Sequence, residues 1–190
     1  MGKGPGLVVF DLDSTFWDFG TELLAGPPFR RNARTGHVVD REGTVLSPYP
    51  ESFDVVRTLH AEYPDTLLAL ASRTATPDWA KAIAQLMLYP PTFPSPPPHP
   101  GSDGSHKGTD RSLLSLFHHQ QIYPGSKVKH FEAFQQDTGL PYEDMLFFDD
   151  EQRNIRDVSA LGVVCIYVPG GLSLQALQEG LCAFEKGKKK

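Results

Sequence analysis

Near the start of the chain stands Leu7-Val8-Val9-Phe10-Asp11-Leu12-Asp13-Ser14-Thr15, an apolar run followed directly by two aspartates. A short apolar run of this kind predicts a strand that is buried on both faces, as in a parallel sheet. An ionised Asp at the end of such a strand loses hydration, which is costly unless a cation or hydrogen bonds compensate. The stretch therefore predicts a central strand and a polar site where that strand ends.

The same apolar pattern recurs along the chain and alternates with helical patterns. Further strands are predicted at 66–71, 145–148 and 163–168, with a further short one at 118–123. Helices are predicted near residues 51–62, 78–88, 110–117, 127–138, 151–161 and 173–184. Alternating strands and helices indicate βαβ units with right-handed crossovers. The predicted fold is an α/β, Rossmann-like parallel sheet flanked by helices.

Three segments depart from this alternation within a predicted single domain over residues 1–190. Residues 18–50 are broken by Gly and Pro around a predicted hairpin, so we expect a small flap, a minimal cap, beside the first strand. Residues 89–109 form a predicted Pro-rich surface insertion, because seven prolines between positions 90 and 100 remove backbone donors. A Pro-x-x-Pro match there suits an SH3 or WW-type partner, although a solvated insertion without a partner is the simpler interpretation. Residues 185–190 form a predicted basic tail.

The composition argues against several classes of protein. The net charge of −5, from 18 basic and 23 acidic residues, disfavours a nucleic-acid binder held by bulk charge. Two cysteines are too few for a disulfide framework or a four-thiolate zinc site. No apolar run has the length of a membrane span, and the first residues lack the apolar core of a signal peptide. We therefore expect no membrane partner and a cytoplasmic protein, with access to the nucleus left open.

Polar residues also follow the other predicted strands, at the edge where a parallel sheet binds its ligands. Ser72-Arg73 follow the second strand, and Asp149-Asp150 follow the third strong one. With Asp11 and Asp13, four carboxylates would meet at one edge and repel each other. A hard divalent cation, Mg²⁺, takes oxygen ligands and relieves this repulsion.

Cations and hydroxyls accompany these carboxylates. Lys127 opens a helical pattern directly after Tyr123-Pro124-Gly125-Ser126. Together with Arg73 and the hydroxyls of Ser72 and Thr15, it supplies donors that suit the oxygens of a phosphate. A carboxylate nucleophile, a metal, a cation and a hydroxyl are the parts of a phosphoryl-transfer site.

In order and spacing, these residues resemble the four motifs of the haloacid dehalogenase-like (HAD) phosphatases. Within that superfamily the chain is similar to the magnesium-dependent phosphatases, through the runs Val9-Phe10-Asp11-Leu12-Asp13, Ala71-Ser72-Arg73-Thr74, Ile122-Tyr123-Pro124-Gly125-Ser126-Lys127 and Phe147-Phe148-Asp149-Asp150-Glu151. Four motifs in register make the resemblance specific. It extends from about residue 7 to residue 184, apart from the Pro-rich insertion.

The resemblance implies a role for each residue of the site. Asp11 would be the nucleophile that forms an aspartyl-phosphate, and Asp13 the general acid and then the base. Mg²⁺ would be held by the carboxylates of Asp11 and Asp149 and by the backbone carbonyl of Asp13. The expected phosphate-binding residues are Leu12 and Asp13 through backbone N–H groups, and Ser72, Arg73 and Lys127 through side chains.

Supporting residues are expected behind these groups. Asp150 would orient Lys127 or a metal-bound water. Thr15 either caps the turn after the first strand or contacts the site. Asn154 lies three residues into a predicted helix, where its side chain points back to the Asp149-Asp150 motif or faces solvent.

The predicted function is a Mg²⁺-dependent phosphomonoesterase with an open site, because the 18–50 stretch leaves no room for a large cap. The resemblance implies phosphotyrosine on proteins or phosphorylated sugars attached to amines as substrates, without choosing between them. Ser14 stands where close relatives usually carry Tyr, which makes the expected pocket wall less aromatic.

Two alternatives remain at this point. A receiver-like phospho-acceptor domain also joins Asp, Mg²⁺, Ser or Thr and Lys on a parallel sheet, but it carries its phosphorylated Asp on a middle strand. Here the Asp-x-Asp pair on the first strand supplies the acid and base that turnover requires. A non-catalytic scaffold that uses the Pro-rich insertion would be favoured by the loss of any main site residue, and all are present.

Overall fold

A five-stranded parallel sheet forms the centre of the computed structural model, which describes residues 4–90 and 111–188. Its strands are β1 (Leu7–Phe10), β5 (Leu67–Ser72), β6 (His119–Ile122), β7 (Met145–Asp149) and β8 (Val164–Tyr167), in the spatial order β6-β5-β1-β7-β8. The predicted α/β parallel sheet is confirmed.

The register of the sheet aligns the ends of its central strands. Phe10 pairs with Leu70 of β5 on one side and with Phe148 of β7 on the other. The ladder continues as Asp11 donates its N–H to the carbonyl of Phe148 at 3.0 Å. The polar residues that follow β1, β5 and β7 therefore lie at one edge, as the sequence predicts.

Five helices cover the two faces of the sheet. They are α1 (Ser52–Glu62), α2 (Pro77–Leu86), α3 (Lys127–Thr138), α4 (Gln152–Ser159) and α5 (Leu174–Lys188). Successive strand residues point to opposite faces, so Val8 and Phe10 pack with α1, α2 and α5, whereas Leu7 and Val9 pack with α3 and α4. Every residue of β1 and β7 is buried, which explains their unbroken apolar runs.

Two predicted elements differ in the structure. The predicted helix at 110–117 is a single 3₁₀ turn at Leu113–Leu116, because residues 111–113 are held extended against residues 87–89. The N–H of Leu113 donates to the carbonyl of Met87 at 2.7 Å, and that of Tyr89 to the carbonyl of Arg111 at 3.0 Å. These two bonds join the segments at either end of the Pro-rich insertion, which we call its neck. Most of the insertion, including the predicted SH3 or WW-type motif, lies outside the described residues.

The predicted basic tail at 185–190 is helical as far as Lys188. α5 continues to that residue, because lysines in the last turn interact favourably with the helix dipole. Lys188 also forms an ion pair with Asp144. Across residues 4–90 and 111–188, no helix is long and apolar enough to cross a membrane.

The 18–50 stretch folds as a flap with a three-stranded antiparallel sheet, β2 (Arg30–Arg31), β3 (Val38–Val39) and β4 (Val45–Leu46). Asp40 ties it together by accepting hydrogen bonds from the backbone N–H groups of Ala25, Glu42 and Thr44. Burial opposes ionisation of Asp40, but these hydrogen bonds outweigh it and lower the pKa of the carboxyl. Asp40 thereby joins the hairpin to residue 25 within the flap.

Candidate active site

A tight turn after β1 shapes the centre of the site. The carbonyl of Leu12 accepts hydrogen bonds from the backbone N–H groups of Thr15, Phe16 and Trp17, at 2.9–3.2 Å. Ser14 adopts a left-handed backbone with φ of 57°. A non-glycine residue there stores local strain, which is typical of functional sites.

Three carboxylates converge at this edge of the sheet. Asp11, Asp149 and Asp150 each contribute one carboxylate oxygen, and these three oxygens lie within 4.8 Å of one another. Clustered carboxylate oxygens are the ligands that a hard divalent cation such as Mg²⁺ prefers. The structure thus brings Asp150, expected from the resemblance to play a supporting part, into the carboxylate group itself. The carboxylate of Asp13 lies outside that group.

Lys127 is the cation of this cluster. Its side chain is 1% exposed, and its Nζ contacts Asp11 and the carbonyl of Ala71 and lies 3.1 Å from Asp149 Oδ2. The side chain is positioned by α3, which begins at Lys127 and is capped by Ser126, whose hydroxyl accepts from the Lys129 N–H. Lys127 therefore bridges the ends of β1, β5 and β7.

Burial and mutual attraction set the charge states of this group. Burial raises the pKa of Asp11 to about 8, because attraction to Lys127 offsets only part of the lost hydration and of the repulsion from Asp149. Burial also opposes the charge of Lys127, but Asp11 and Asp149 outweigh it and raise the pKa of Lys127 above its usual value. One lysine thus leaves the carboxylates incompletely neutralised, and a divalent cation would supply the charge that is lacking.

Asn154 and Arg73 form a relay behind Asp149. The Nδ2 of Asn154 lies 3.0 Å from both carboxylate oxygens of Asp149, and its Oδ1 accepts from Arg73 Nη1 at 2.8 Å. Arg73 also donates to the carbonyl of Gly125 at 2.7 Å and lies 3.5 Å from Glu151. Asn154 thus fixes the orientation of Asp149, and the relay ties three loops together.

Thr15 joins the turns after β1 and β7. Its hydroxyl accepts from the N–H of Asp150 at 3.0 Å and donates to the Asp150 carboxylate at 3.2 Å. Burial, aided by repulsion from Asp149, raises the pKa of Asp150. Thr15 therefore orients one of the three clustered carboxylates rather than lining the cavity.

The carboxylate of Asp13 is held by the start of the flap. It accepts from Trp17 Nε1 at 2.7 Å, from the Thr21 N–H at 2.9 Å and from the Thr21 hydroxyl. Trp17 is fully buried and stacks on Phe19, which fixes its donor. Nothing in the sequence marks Thr21 as a partner of Asp13.

A cavity of about 270 Å³ opens over these groups. Its lining comprises Asp11, Asp13, Ser14, Glu22, Ser72, Arg73, Thr74, Lys127, Asp150, Glu151, Arg153 and Asn154. Ser72 accepts from the Thr74 N–H at 3.3 Å, so its hydroxyl proton is available to a ligand. Among the predicted residues, the side chains of Leu12, Thr15 and Asp149 lie behind the cavity wall.

Glu22, Thr74 and Arg153 line the cavity without having been singled out as ligand-binding residues. Glu22 reaches it from a 3₁₀ turn of the flap and accepts from the N–H of Ala75 at 2.6 Å. This contact joins the flap to the loop after β5. The sequence does not indicate that Glu22 lines the cavity, because a three-residue turn has no periodicity.

Comparison with known proteins places this fold and site in a class. The structure superposes on a HAD-family enzyme of Bacteroides thetaiotaomicron, solved with magnesium and inorganic phosphate, with a TM-score of 0.59 and 13% identity, covering 92% of this chain and 99% of that one. That likeness defines a HAD-type fold.

Sequence comparison is more specific. The acid phosphatase family matches residues 3–187. The chain is 39% identical over 189 residues to magnesium-dependent phosphatase 1 of Homo sapiens, covering 99% of this chain and 92% of that protein. It is 34% identical over 160 residues to a HAD-like hydrolase superfamily protein of Schizosaccharomyces pombe, covering 84% and 83%. The chain belongs to the acid phosphatase family, and its resemblance to the magnesium-dependent HAD phosphatases is confirmed.

Proposed function

We propose that this chain hydrolyses phosphate monoesters through an aspartyl-phosphate on Asp11. The observation that carries the proposal is the buried contact of Asp11 with Lys127, inside a group of three carboxylates at the floor of an open cavity. Membership of a phosphatase family favours this function over a receiver-like domain or a scaffold.

The cofactor is Mg²⁺. The carboxylates of Asp11, Asp149 and Asp150 would hold it, and the backbone carbonyl of Asp13 stays a predicted ligand. The oxygens of these three carboxylates converge at the site. Lys127 neutralises their negative charge only in part, and the remaining charge fits a divalent cation. When bound, the ion polarises the phosphoryl group and neutralises charge that develops on it.

The side chains of the site carry out the two steps of the reaction. A carboxylate oxygen of Asp11 attacks phosphorus while the bond to the leaving oxygen breaks, and Asp13 donates a proton to that oxygen. Asp13 next takes a proton from water as the water oxygen attacks phosphorus, which breaks the bond to Asp11 and releases phosphate. Lys127 and the Ser72 hydroxyl stabilise the charge of the phosphoryl oxygens throughout.

The substrate class is part of the same proposal. Glu22 of the flap and Arg153 of α4 line the cavity, and no large domain covers it in the described part of the chain. Leu23, next to Glu22, is 89% exposed. Phosphotyrosine on proteins and phosphorylated sugars attached to amines both fit so open a mouth.

Phosphate release tests the proposal. Wild type, Asp11→Asn and Asp13→Asn are assayed with a phosphotyrosine peptide and a phosphorylated sugar amine, in Mg²⁺ and in EDTA. We expect each variant to lose at least ~10³-fold in kcat, and wild type to require the metal. Asp18→Asn is the matched control, because Asp18 is exposed and outside the cavity lining. Turnover by Asp11→Asn near that of wild type would refute the mechanism.

A further inference from the structure

A second cleft of about 310 Å³ is lined in part by residues of the flap. It is bounded by the flap hairpin, by Phe53 at the start of α1, and by the neck of the insertion at residues 87–90 and 111. Its lining shares no residue with the active-site cavity. Its volume lies at the small end of the range for ligand sites, roughly 300–1,000 Å³.

The fixed charges that the described residues bring to this cleft are of one sign. Arg31 and Arg111 line it beside the imidazole of His37, and none of the described Asp or Glu residues does. This is unusual in a chain whose net charge is −5. Within residues 4–90 and 111–188, none of the three forms an ion pair with a carboxylate. We call this site the cationic cleft.

Arg111 is the most constrained of these cations. Its Nη2 donates to the carbonyl of Tyr89, and its guanidinium lies 5.7 Å from the centre of the Tyr89 ring. Its Nε is buried and makes no hydrogen bond in the described part of the chain. Arg31, on β2 of the flap, has its guanidinium close to Gly36 of the hairpin turn. Among the described residues, neither arginine has a carboxylate that neutralises it.

Much of the rest of the wall is apolar, although Thr35 and Ser47 are polar. Val38 and Leu46 of the hairpin, Phe53 of α1, and Met87 and Leu88 after α2 contribute to it. Leu88 keeps 36% of its surface exposed. An apolar wall beside unpaired cations matches a ligand that joins an anionic head group to an apolar body.

We propose that the cationic cleft binds a small amphipathic organic anion, with its carboxylate or phosphate-like head on Arg31 and Arg111 and its apolar body against Phe53 and Met87. This site is separate from the catalytic one, and its binding does not depend on the proposed phosphatase mechanism.

A short backbone path leads from the cleft to Asp13. Ser47 and Pro48 line the cleft, and the carbonyl of Ser47 accepts from the N–H of Asp18 at 3.2 Å. Pro48 forms a β-bridge with Trp17, whose indole N–H holds Asp13. A ligand that moves residues 47–48 would therefore change the position of the general acid. This second step rests on the proposed function.

The binding step is tested with the fluorescent aryl sulfonate 8-anilinonaphthalene-1-sulfonate, titrated into the full chain with Mg²⁺ and saturating inorganic phosphate. We expect saturable binding that Arg31→Gln and Arg111→Gln each weaken by roughly three- to tenfold, because each removes a partly exposed charge contact. Arg30→Gln is the matched control, since Arg30 is the exposed neighbour of Arg31 on β2 and does not line the cleft. Far-ultraviolet circular dichroism verifies that each variant is folded.

Competition distinguishes the head groups. Displacement of the probe by benzoate or by phenylphosphonate supports the proposal and identifies the preferred head. Displacement by neither, or equal probe affinity in wild type and both cleft variants, would overturn it. A loss of probe affinity in Arg30→Gln as large as that in Arg31→Gln would also overturn the proposal.

Kinetics test the path to Asp13. Saturating probe should change kcat severalfold at nearly constant KM, and Arg31→Gln should shift that effect to higher probe concentration. An unchanged kcat at full occupancy of the cleft would refute the coupling. A chain without phosphatase activity would refute the proposed function while leaving the fluorescence result intact.

Discussion

The active-site cavity and the cationic cleft differ in how each holds like charges together. Asp11, Asp149 and Asp150 follow buried strands, and every one of them has an internal partner, Lys127, Asn154 or Thr15. Arg31 of the cleft stands on an exposed hairpin, where water screens its repulsion from other cations. A buried charge needs an internal partner to offset its lost hydration, whereas an exposed charge can remain unpaired until a ligand binds.

The largest effect expected from this comparison is that of Lys127→Met, which removes the buried cation at similar volume. We expect kcat to fall at least ~10³-fold and the free energy of unfolding to fall by about 3 kcal/mol in EDTA, because Asp11 and Asp149 lose their counter-charge. Mg²⁺ should restore part of that stability.

Denaturant titrations in EDTA and in Mg²⁺ measure this effect. The matched control is Lys129→Met, two residues along the same helix and exposed. If both variants unfolded at the same denaturant concentration, Lys127 would not be the charge that holds the cluster together.

Asn154→Ala tests the relay behind Asp149 and should have the next largest effect. Without its two contacts at 3.0 Å, Asp149 loses its fixed orientation, and we expect Mg²⁺ affinity to fall roughly 10–100-fold. The Mg²⁺ dependence of phosphate release gives the affinity. Gln152→Ala, on the same helix but outside the cavity lining, should leave it unchanged. Equal affinities in the two variants would exclude a role for Asn154 in holding Asp149.

His130 extends the comparison to a buried group that stays neutral. Burial, together with repulsion from Lys127 and Arg73, lowers the pKa of His130 to about 4 from 6.5. Between those two pH values the unfolded chain binds the proton and the folded chain does not, so the free energy of unfolding decreases as the pH falls. The loss is complete near pH 4.

The His130→Gln variant should lack this contribution, roughly 2–3 kcal/mol between pH 6.5 and pH 4. Gln keeps a donor for the Tyr123 carbonyl, which His130 Nε2 now contacts at 3.2 Å. Chemical denaturation across this pH range compares the two proteins. Parallel pH profiles would show that His130 is not the titrating group.

The smallest effect is expected at the flap. Trp17→Phe removes one of three donors to Asp13 and keeps the aromatic stack, so we expect kcat to fall about five- to tenfold with little change in KM. A double variant distinguishes this from mispacking, because Trp17→Phe should cause no further loss of kcat once Asp13 is replaced by Asn. The same fold loss of kcat in the Asp13→Asn background would separate Trp17 from the acid.

The parts of the site that the sequence predicts are those set by the sheet. Asp11, Ser72 and Asp149 each follow an apolar strand, and parallel register brings such residues together without knowledge of side-chain packing. The flap contacts are different. Thr21 and Glu22 lie in a short turn between glycines and prolines, so no periodicity fixes where their side chains point.

The differences between the predicted and the observed structure have similar causes. The apolar residues of 113–116 resemble a helix in sequence, but pairing between Leu88 and Ser112 restricts them to one 3₁₀ turn. Asp150 joins the carboxylate group because Thr15 turns it inward, a contact between residues 135 positions apart. Such long-range contacts decide side-chain direction and leave no local signal.

The closed neck of the insertion has a consequence for engineering. Because residues 88 and 112 bridge each other, the two segments that flank the insertion lie next to each other. A connection with adjacent ends can change in length at little entropic cost and accept a foreign domain without moving the elements on either side. A reporter inserted there would stand beside Tyr89 and Arg111 of the cleft, where it would sense a ligand while the catalytic strands stay in place.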